Sequence, residues 1–121
     1  MKTILLVEDT EDYAENLKYV LEQEGYRVVI VMNGKDGLEK AMHIRPDLIL
    51  MDVLMPVLDG VQATALIREH TELKDIPVIF LTAVTAGDNV VMNVQGKDFP
   101  AISKMADQQQ LLAKIRQYVG D

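Results

Sequence analysis

Short hydrophobic runs without polar interruptions recur along the chain and predict strands that are buried on both faces. Four such runs span residues 4–7, 28–32, 48–51 and 78–81, and a shorter one spans residues 101–102. Runs of this length that do not alternate with polar residues are typical of a parallel sheet with helices on both sides. The pattern therefore predicts five parallel strands.

Between these runs, hydrophobic residues recur at helical spacing. Residues 13–21 form such a stretch before Gly25, which suits the position just after a helix end. Asn33 is a suitable cap for a second helix, and Asp59 opens a third. A fourth helix is expected around residues 88–94, although valine and asparagine are mediocre helix formers. The last helix presents one apolar stripe within about 120° of arc, formed by Leu111, Leu112, Ile115, Tyr118 and Val119.

The alternation of strands and helices defines the fold class. A strand of about five residues, a helix of about eleven and two loops of about four make a unit of roughly 24 residues. Five such units account for a chain of 121 residues. Short connections between alternating elements imply right-handed crossovers. We therefore expect one doubly wound α/β domain that spans residues 1–121.

Composition and charge exclude several classes of function. The chain has no cysteine, which excludes disulfides, thiol catalysis and cysteine-ligated zinc. Its net charge of −7 argues against nucleic acid and anionic membranes as partners. The hydrophobic runs are far shorter than the roughly 20 residues that span a bilayer. Because the N-terminus also lacks the features of a secretory signal, we expect a cytoplasmic protein.

Polar side chains follow four of the five predicted strands. Glu8 and Asp9 follow the first strand, Asp52 the third, Thr82 the fourth and Lys104 the fifth. In a parallel sheet the carboxyl ends of the strands lie along one edge, where open α/β folds bind ligands. Each residue alone is compatible with a helix cap, a strand end or a solvated side chain. Their joint placement is what predicts a site.

Three carboxylates at one edge need either protons or a cation. Two carboxylates about 5 Å apart repel by roughly 3 kcal/mol at an effective dielectric constant near 20. A few hard oxygen ligands with room for water favour Mg²⁺ over Ca²⁺. With a lysine and a hydroxyl nearby, the set is equipped for phosphoryl transfer. Asp52 would attack phosphorus, while Lys104 and Thr82 would stabilise the remaining charge.

At these residues the chain resembles the receiver domain of two-component response regulators, which a histidine-kinase phosphodonor phosphorylates on aspartate. Each matching segment is weak evidence alone, but together they occur in the family's order, and the resemblance extends over nearly the whole chain. The segments are residues 5–9, 46–56, 59–60, 77–83 and 103–104. The resemblance implies a flavodoxin-like fold, with a five-stranded parallel sheet in the order 2-1-3-4-5 and helices on both faces.

The resemblance also implies a role for each candidate residue. Asp52 would be the phosphoacceptor, and Thr82 would be the switch hydroxyl that closes on the phosphoryl group. Lys104 would form an ion pair with the phosphoryl group. The Mg²⁺ ligands would be Glu8, Asp9, Asp52 and the backbone carbonyl of Leu54.

A phosphorylation-dependent signalling switch is the function that the resemblance implies. The phosphodonor would be a histidine kinase or a phosphotransfer protein, and phosphorylation would change the face formed by residues 85–119. That face would bind an unidentified downstream protein or a second copy of the chain. The protein would catalyse its own phosphorylation and dephosphorylation without turning over a separate substrate, so we do not expect an enzyme.

The sequence departs from the family pattern at several positions. Met105 follows Lys104, where the family usually has a proline after a cis peptide bond. A cis bond without proline costs roughly 3–4 kcal/mol, so we expect a trans bond. Ala101 occupies the place of the switch aromatic, and Phe99 is a candidate substitute. These departures predict an altered switch.

Two other functions stay open at this stage. A degenerate receiver that only docks other proteins would keep the fold but lose the switch, as Ala101 and Met105 suggest. A phosphohydrolase of the haloacid-dehalogenase kind would need a second aspartate two residues after the nucleophile, where this chain has Leu54. As a further hypothesis, Leu54 and Val84 place apolar side chains at the rim and hinder the water that hydrolyses the aspartyl phosphate.

Overall fold

A computed structural model describes residues 1–53, 58–83 and 91–120 of the chain. Strands and helices alternate through most of this part, which contains six strands and four helices. In chain order they are β1 (Thr3–Val7), α1 (Glu11–Gln23), β2 (Arg27–Val31), α2 (Gly34–Ile44), β3 (Leu48–Asp52), α3 (Gly60–Glu69), β4 (Val78–Thr82), β5 (Val91–Val94), β6 (Lys97–Ser103) and α4 (Gln108–Val119).

The strands form one sheet in the order β2-β1-β3-β4-β6-β5. All neighbours pair in parallel except β5 and β6, which are antiparallel. The predicted doubly wound sheet is therefore confirmed for five parallel strands, and β6 takes the place of the predicted fifth strand. The additional strand β5 lies at the edge of the sheet.

Two apolar layers cover the sheet, because successive strand residues point to opposite faces. On one face, Ile4 and Leu6 of β1 belong to a buried cluster with residues of α1 and α4. On the other face, Leu5 and Val7 belong to a second cluster with residues of α2 and α3. Burial on both faces explains the uninterrupted hydrophobic runs in β1 and β3. Within the described ranges, no helix is long and apolar enough to cross a membrane.

The helix ends agree with the sequence signals. Gly25 follows α1 with a φ of +93°, a backbone conformation that glycine adopts without strain. The Asn33 side chain caps α2 by accepting a hydrogen bond from the Asp36 amide. Asp59 caps α3 through a reciprocal capping box with Gln62. In the apolar stripe of α4, Leu111, Leu112, Ile115 and Val119 are buried, whereas Tyr118 is 37% exposed.

The helix expected around residues 88–94 is wrong where the structure describes it, because Val91–Val94 is a strand. Val94 pairs with Lys97, so only two residues, Gln95 and Gly96, connect β5 to β6. Both have positive φ angles, 52° and 86°, as in the turns that match the twist of a β-hairpin. The β-branched valines favour this strand over a helix. Residues 88–90 lie outside the described residues.

Candidate functional site

The carboxyl ends of β1 and β3 bring the three predicted acids together. Val7 pairs with Met51 in the sheet, so Glu8 and Asp52 follow at neighbouring positions. One oxygen from each of Glu8, Asp9 and Asp52 lies within 4.8 Å of the others. Glu8 and Asp52 are buried, whereas Asp9 is exposed. This arrangement of hard oxygen ligands, open to solvent on one side, could hold a divalent cation with part of its hydration shell.

Lys104 supplies a positive charge to this acidic group. Its Nζ atom lies 2.6 Å from Glu8 Oε1 and 3.3 Å from Asp52 Oδ2. The other oxygen of Glu8 accepts a hydrogen bond from the Thr10 amide. Burial by itself lowers the pKa of Lys104, but the hydrogen bond with Glu8 and the charges of Asp52 and Glu8 together raise it above its ordinary value. Lys104 therefore stays protonated and pairs with both buried acids.

The Asp52 carboxyl group has a strongly perturbed acidity. Burial, followed by a hydrogen bond with Glu8 and the charge of Glu8, raises the pKa of Asp52 to about 7. Lys104 opposes this shift through its own charge and hydrogen bond. The cause is a familiar one, since two carboxylates that share a site do not ionise independently. A cation that binds between them favours the ionised form.

Thr82 ends β4 at the same edge of the sheet. It pairs with Ser103 of β6, and its carbonyl oxygen accepts a hydrogen bond from the Lys104 amide at 2.8 Å. Asp52 pairs with Leu81, so Thr82 lies one residue beyond the phosphoacceptor candidate along the neighbouring strand. The structure thus brings all five predicted side chains to one edge. Leu54 and Val84 lie outside the described residues, so their expected roles stay predictions.

Tyr13 lies against Lys104 and is a member of the site that the sequence pattern did not identify. The Lys104 Nζ atom lies 5.1 Å from the centroid of the Tyr13 ring, within the range of a cation–π contact. Burial, then the charges of Glu8 and Asp52, raise the pKa of Tyr13 to about 12, so its ring is a neutral phenol. The sequence signal that points to Tyr13 is its position in the first turn of α1, four residues after Asp9.

The segment after β6 departs from the family pattern as expected. No cis peptide bond occurs in the described ranges, which confirms the trans bond between Lys104 and Met105. The Met105 amide donates a hydrogen bond to Ser103 Oγ, and the Ala106 amide bonds to the Ser103 carbonyl. The Met105 side chain is 85% exposed beside the site.

Phe99, the candidate substitute for a switch aromatic, is buried on the α3 side of the sheet. Its ring packs edge-to-face on Phe80 with centroids 6.0 Å apart. The Arg68 guanidinium and the Lys97 ammonium lie 5.4 and 5.3 Å from the ring centroid. Arg68 also donates a hydrogen bond to the Val94 carbonyl and so links α3 to β5. The switch role of Phe99 stays a prediction.

Comparison with known proteins gives one consistent family. The family model described as the response regulator receiver domain matches residues 4–116. The polar-differentiation response regulator DivK of Brucella anthropi is 33% identical over 120 residues, which cover 99% of this chain and 98% of DivK.

Solved structures give the same result. The receiver domain of a sensor histidine kinase from Pseudomonas aeruginosa is 33% identical, with a TM-score of 0.86 and coverage of 99% of this chain and 98% of that chain. That structure has a magnesium ion coordinated in its active-site cleft. The chemotaxis protein CheY4 of Vibrio cholerae is 25% identical, with a TM-score of 0.85 and coverage of 98% of both chains.

Proposed function

The chain belongs to the response regulator receiver domain family of two-component signalling, and we propose that Asp52 is the phosphoacceptor of this receiver. One observation carries the proposal: Asp52 is buried at a strand end, 3.3 Å from the Lys104 ammonium and grouped with two further acids. This combination offers a nucleophilic oxygen, a place for a metal ion and a fixed positive charge around one reacting centre.

Glu8, Asp9 and Asp52 fit Mg²⁺ by their chemistry and spacing, and in the described residues they are the one acidic group close enough to share an ion. The carbonyl of Leu54 is proposed as a fourth ligand on the strength of the family resemblance alone. When bound, Mg²⁺ would neutralise carboxylate charge and coordinate phosphoryl oxygens. Glu8 and Asp9 would hold the ion, and Asp52 would both bind it and react.

In the proposed step, a carboxylate oxygen of Asp52 attacks the phosphorus atom of the donor. A new P–O bond forms to Asp52, and the P–N bond of a phosphohistidine breaks, with the electron pair staying on the imidazole nitrogen. With an acyl phosphate, the corresponding P–O bond breaks and the carboxylate leaves with the pair. Lys104 pairs with a phosphoryl oxygen, and the Thr82 hydroxyl donates a hydrogen bond to another.

The response is proposed to travel through β6, because Lys104 follows this strand directly. β6 pairs with both β4 and β5, and its Ile102 lies in the same buried cluster as α4, so a shift of Lys104 or Thr82 would reach the β5–β6 hairpin and α4. These elements make up the described part of the predicted response face, residues 85–119. A downstream protein or a second phosphorylated copy would bind there. Residues 85–90 of this face lie outside the described residues.

Receiver domains receive phosphoryl groups from histidine kinases or phosphotransfer proteins, and we propose the same class of donor here. The chain acts as a single domain that modifies itself and turns over no separate substrate. A purely docking receiver is not favoured, since Glu8, Asp9, Asp52 and Lys104 lie together in one site. The cytoplasmic location stays a prediction.

The proposal is tested by the mass of the intact protein after incubation with Mg²⁺ and acetyl phosphate. We expect the gain of one phosphoryl group, which disappears in Asp52→Asn and after chelation of Mg²⁺. Asp75→Asn is the matched control, because Asp75 is an exposed aspartate at the opposite end of the sheet, before β4. This variant should gain one phosphoryl group, as the wild type does. A phosphoryl group retained in Asp52→Asn would overturn the assignment.

A further inference from the structure

Tyr13 and Lys104 are 91 positions apart in the chain (104 − 13) but meet at the proposed phosphorylation site. The Tyr13 ring is half-buried and packs against the apolar layer between the sheet and helices α1 and α4. Its face lies 5.1 Å from the Lys104 ammonium. We propose that Tyr13 is a positioning residue that holds the Lys104 ammonium beside Asp52 during phosphoryl transfer, an inference that rests on the proposed function of Asp52.

Lys104 needs such a restraint because its side chain is long and unbranched. Its ammonium group is bound on one side by Glu8 at 2.6 Å and by Asp52 at 3.3 Å. Both acids are proposed Mg²⁺ ligands, so their charge is shared with the metal ion when it binds. The contact with the neutral ring does not depend on those charges. Tyr13 therefore restrains Lys104 both before and after metal binding.

The aromatic ring, rather than the hydroxyl or simple apolar bulk, is the part that acts. The face of an aromatic ring carries partial negative charge and attracts a cation, which an aliphatic side chain does not. Phenylalanine keeps this face and loses only the hydroxyl. Leucine fills similar space without a ring. The variants Tyr13→Phe and Tyr13→Leu thus separate the three explanations.

The experiment measures the rate of phosphorylation by acetyl phosphate in saturating Mg²⁺, together with the proton chemical shifts of the Lys104 Cε group. In Tyr13→Leu we expect the maximal rate to fall about threefold to tenfold, which corresponds to about 0.6–1.4 kcal/mol. The half-saturating acetyl phosphate concentration stays unchanged, because positioning affects the reacting complex. The upfield ring-current shift of the Lys104 protons is lost. Tyr13→Phe keeps both the rate and the shift.

Tyr19→Leu is the matched control, since Tyr19 lies on the same helix but is 65% exposed, and its rate and Lys104 signals should equal those of the wild type. A wild-type rate in Tyr13→Leu would overturn the proposal. Slow phosphorylation of Tyr13→Phe would also overturn it, because the effect would then belong to the hydroxyl. Slow phosphorylation of Tyr13→Leu with unchanged Lys104 chemical shifts would overturn it as well, because it would indicate a structural role. If the wild-type chain accepts no phosphoryl group, the proposed function of Asp52 is overturned instead. The chemical shifts of the Lys104 protons separate this failure from a failure of the Tyr13 proposal, because they report the contact between Tyr13 and Lys104 without any phosphorylation.

Discussion

The Lys104 ammonium lies closer to Glu8, at 2.6 Å, than to Asp52, at 3.3 Å. Glu8 is fully buried, so this pair removes a carboxylate from water and neutralises it with a cation that is itself mostly buried. Such pairs are costly to break, because the partner that stays behind is a buried charge without compensation. In the absence of metal, Lys104 thus compensates the negative charge of Glu8 and Asp52 and stabilises the folded protein.

Replacement of this cation should destabilise the metal-free protein. We expect Lys104→Met to lower the free energy of unfolding by about 1–3 kcal/mol at pH 8, because Glu8 and Asp52 then repel each other without compensation. Saturating Mg²⁺ should restore part of the loss, since it supplies the missing positive charge. Urea unfolding with and without Mg²⁺ measures both effects. The exposed Lys74→Met is the control, and equal stability of Lys104→Met and the wild type without metal would contradict the prediction.

The acidity of Asp52 predicts an unusual dependence of stability on pH. The pKa of Asp52 rises from 3.8 in the unfolded chain to about 7 in the folded protein. Between these values the folded state binds more protons, so its stability falls as the pH rises from about 4 to about 7. An acid with a depressed pKa would give the opposite slope.

Asp52→Asn should remove this penalty. Without metal, we expect the variant to be more stable than the wild type by about 1–3 kcal/mol at pH 8, because the asparagine stays neutral. The advantage should shrink as the pH falls from about 7 toward 4 and vanish below about pH 3, where Asp52 is protonated in both states. Urea unfolding of both proteins at several pH values, in the presence of a chelator, provides the measurement. The idea fails if the difference does not depend on pH or has the opposite sign.

The acidic site can be predicted from the sequence because its position depends on the topology of the sheet more than on the packing of individual side chains. Once the strands are parallel, the residues after them share one edge, so Glu8, Asp52 and Lys104 follow from the order of the runs. For Tyr13, the spacing of apolar residues predicts only a place in the apolar stripe of the first helix. Its contact with Lys104 depends on where a segment 91 positions later (104 − 13) crosses that helix, which no local pattern encodes.

The edge hairpin was missed for a different physical reason. The β-branched valines of residues 91–94 favour a strand, but the segment is short, and the alternation of helices and strands along the chain predicts a helix there. The decisive signal is the pair Gln95 and Gly96, which connects the two strands with positive φ angles. Glutamine is not a usual residue in such turns, so the pair does not stand out in the sequence.

Gly60, the first residue of α3, lies close to the backbone of Asp52 at the end of β3, so its replacement should affect the chemistry. An added Cβ atom would collide with the Asp52 carbonyl oxygen and lie 3.0 Å from Met51 Cγ. We expect Gly60→Ala to lower the free energy of unfolding by about 1–3 kcal/mol and to slow phosphorylation by acetyl phosphate, because the Asp52 backbone must shift.

Gly25→Ala is the control for the glycine substitution. Its Cβ atom meets open space, but its φ of +93° strains any other residue. It should therefore reduce stability in urea while leaving the phosphorylation rate of the folded protein unchanged. A Gly60→Ala variant that reacts at the wild-type rate would show that Asp52 tolerates a shift of its backbone.

The hairpin turn predicts a substitution that should stabilise the protein. Gln95 has a φ of 52°, a left-handed conformation that costs most residues roughly 1–2 kcal/mol and that asparagine tolerates better. We expect Gln95→Asn to raise the free energy of unfolding by about 0.5–1 kcal/mol and Gln95→Val to lower it by a similar amount. Urea unfolding compares the three proteins. In a helix, valine and asparagine would have similar effects, so opposite shifts would support the left-handed turn at this position. Shifts of the same sign would contradict it.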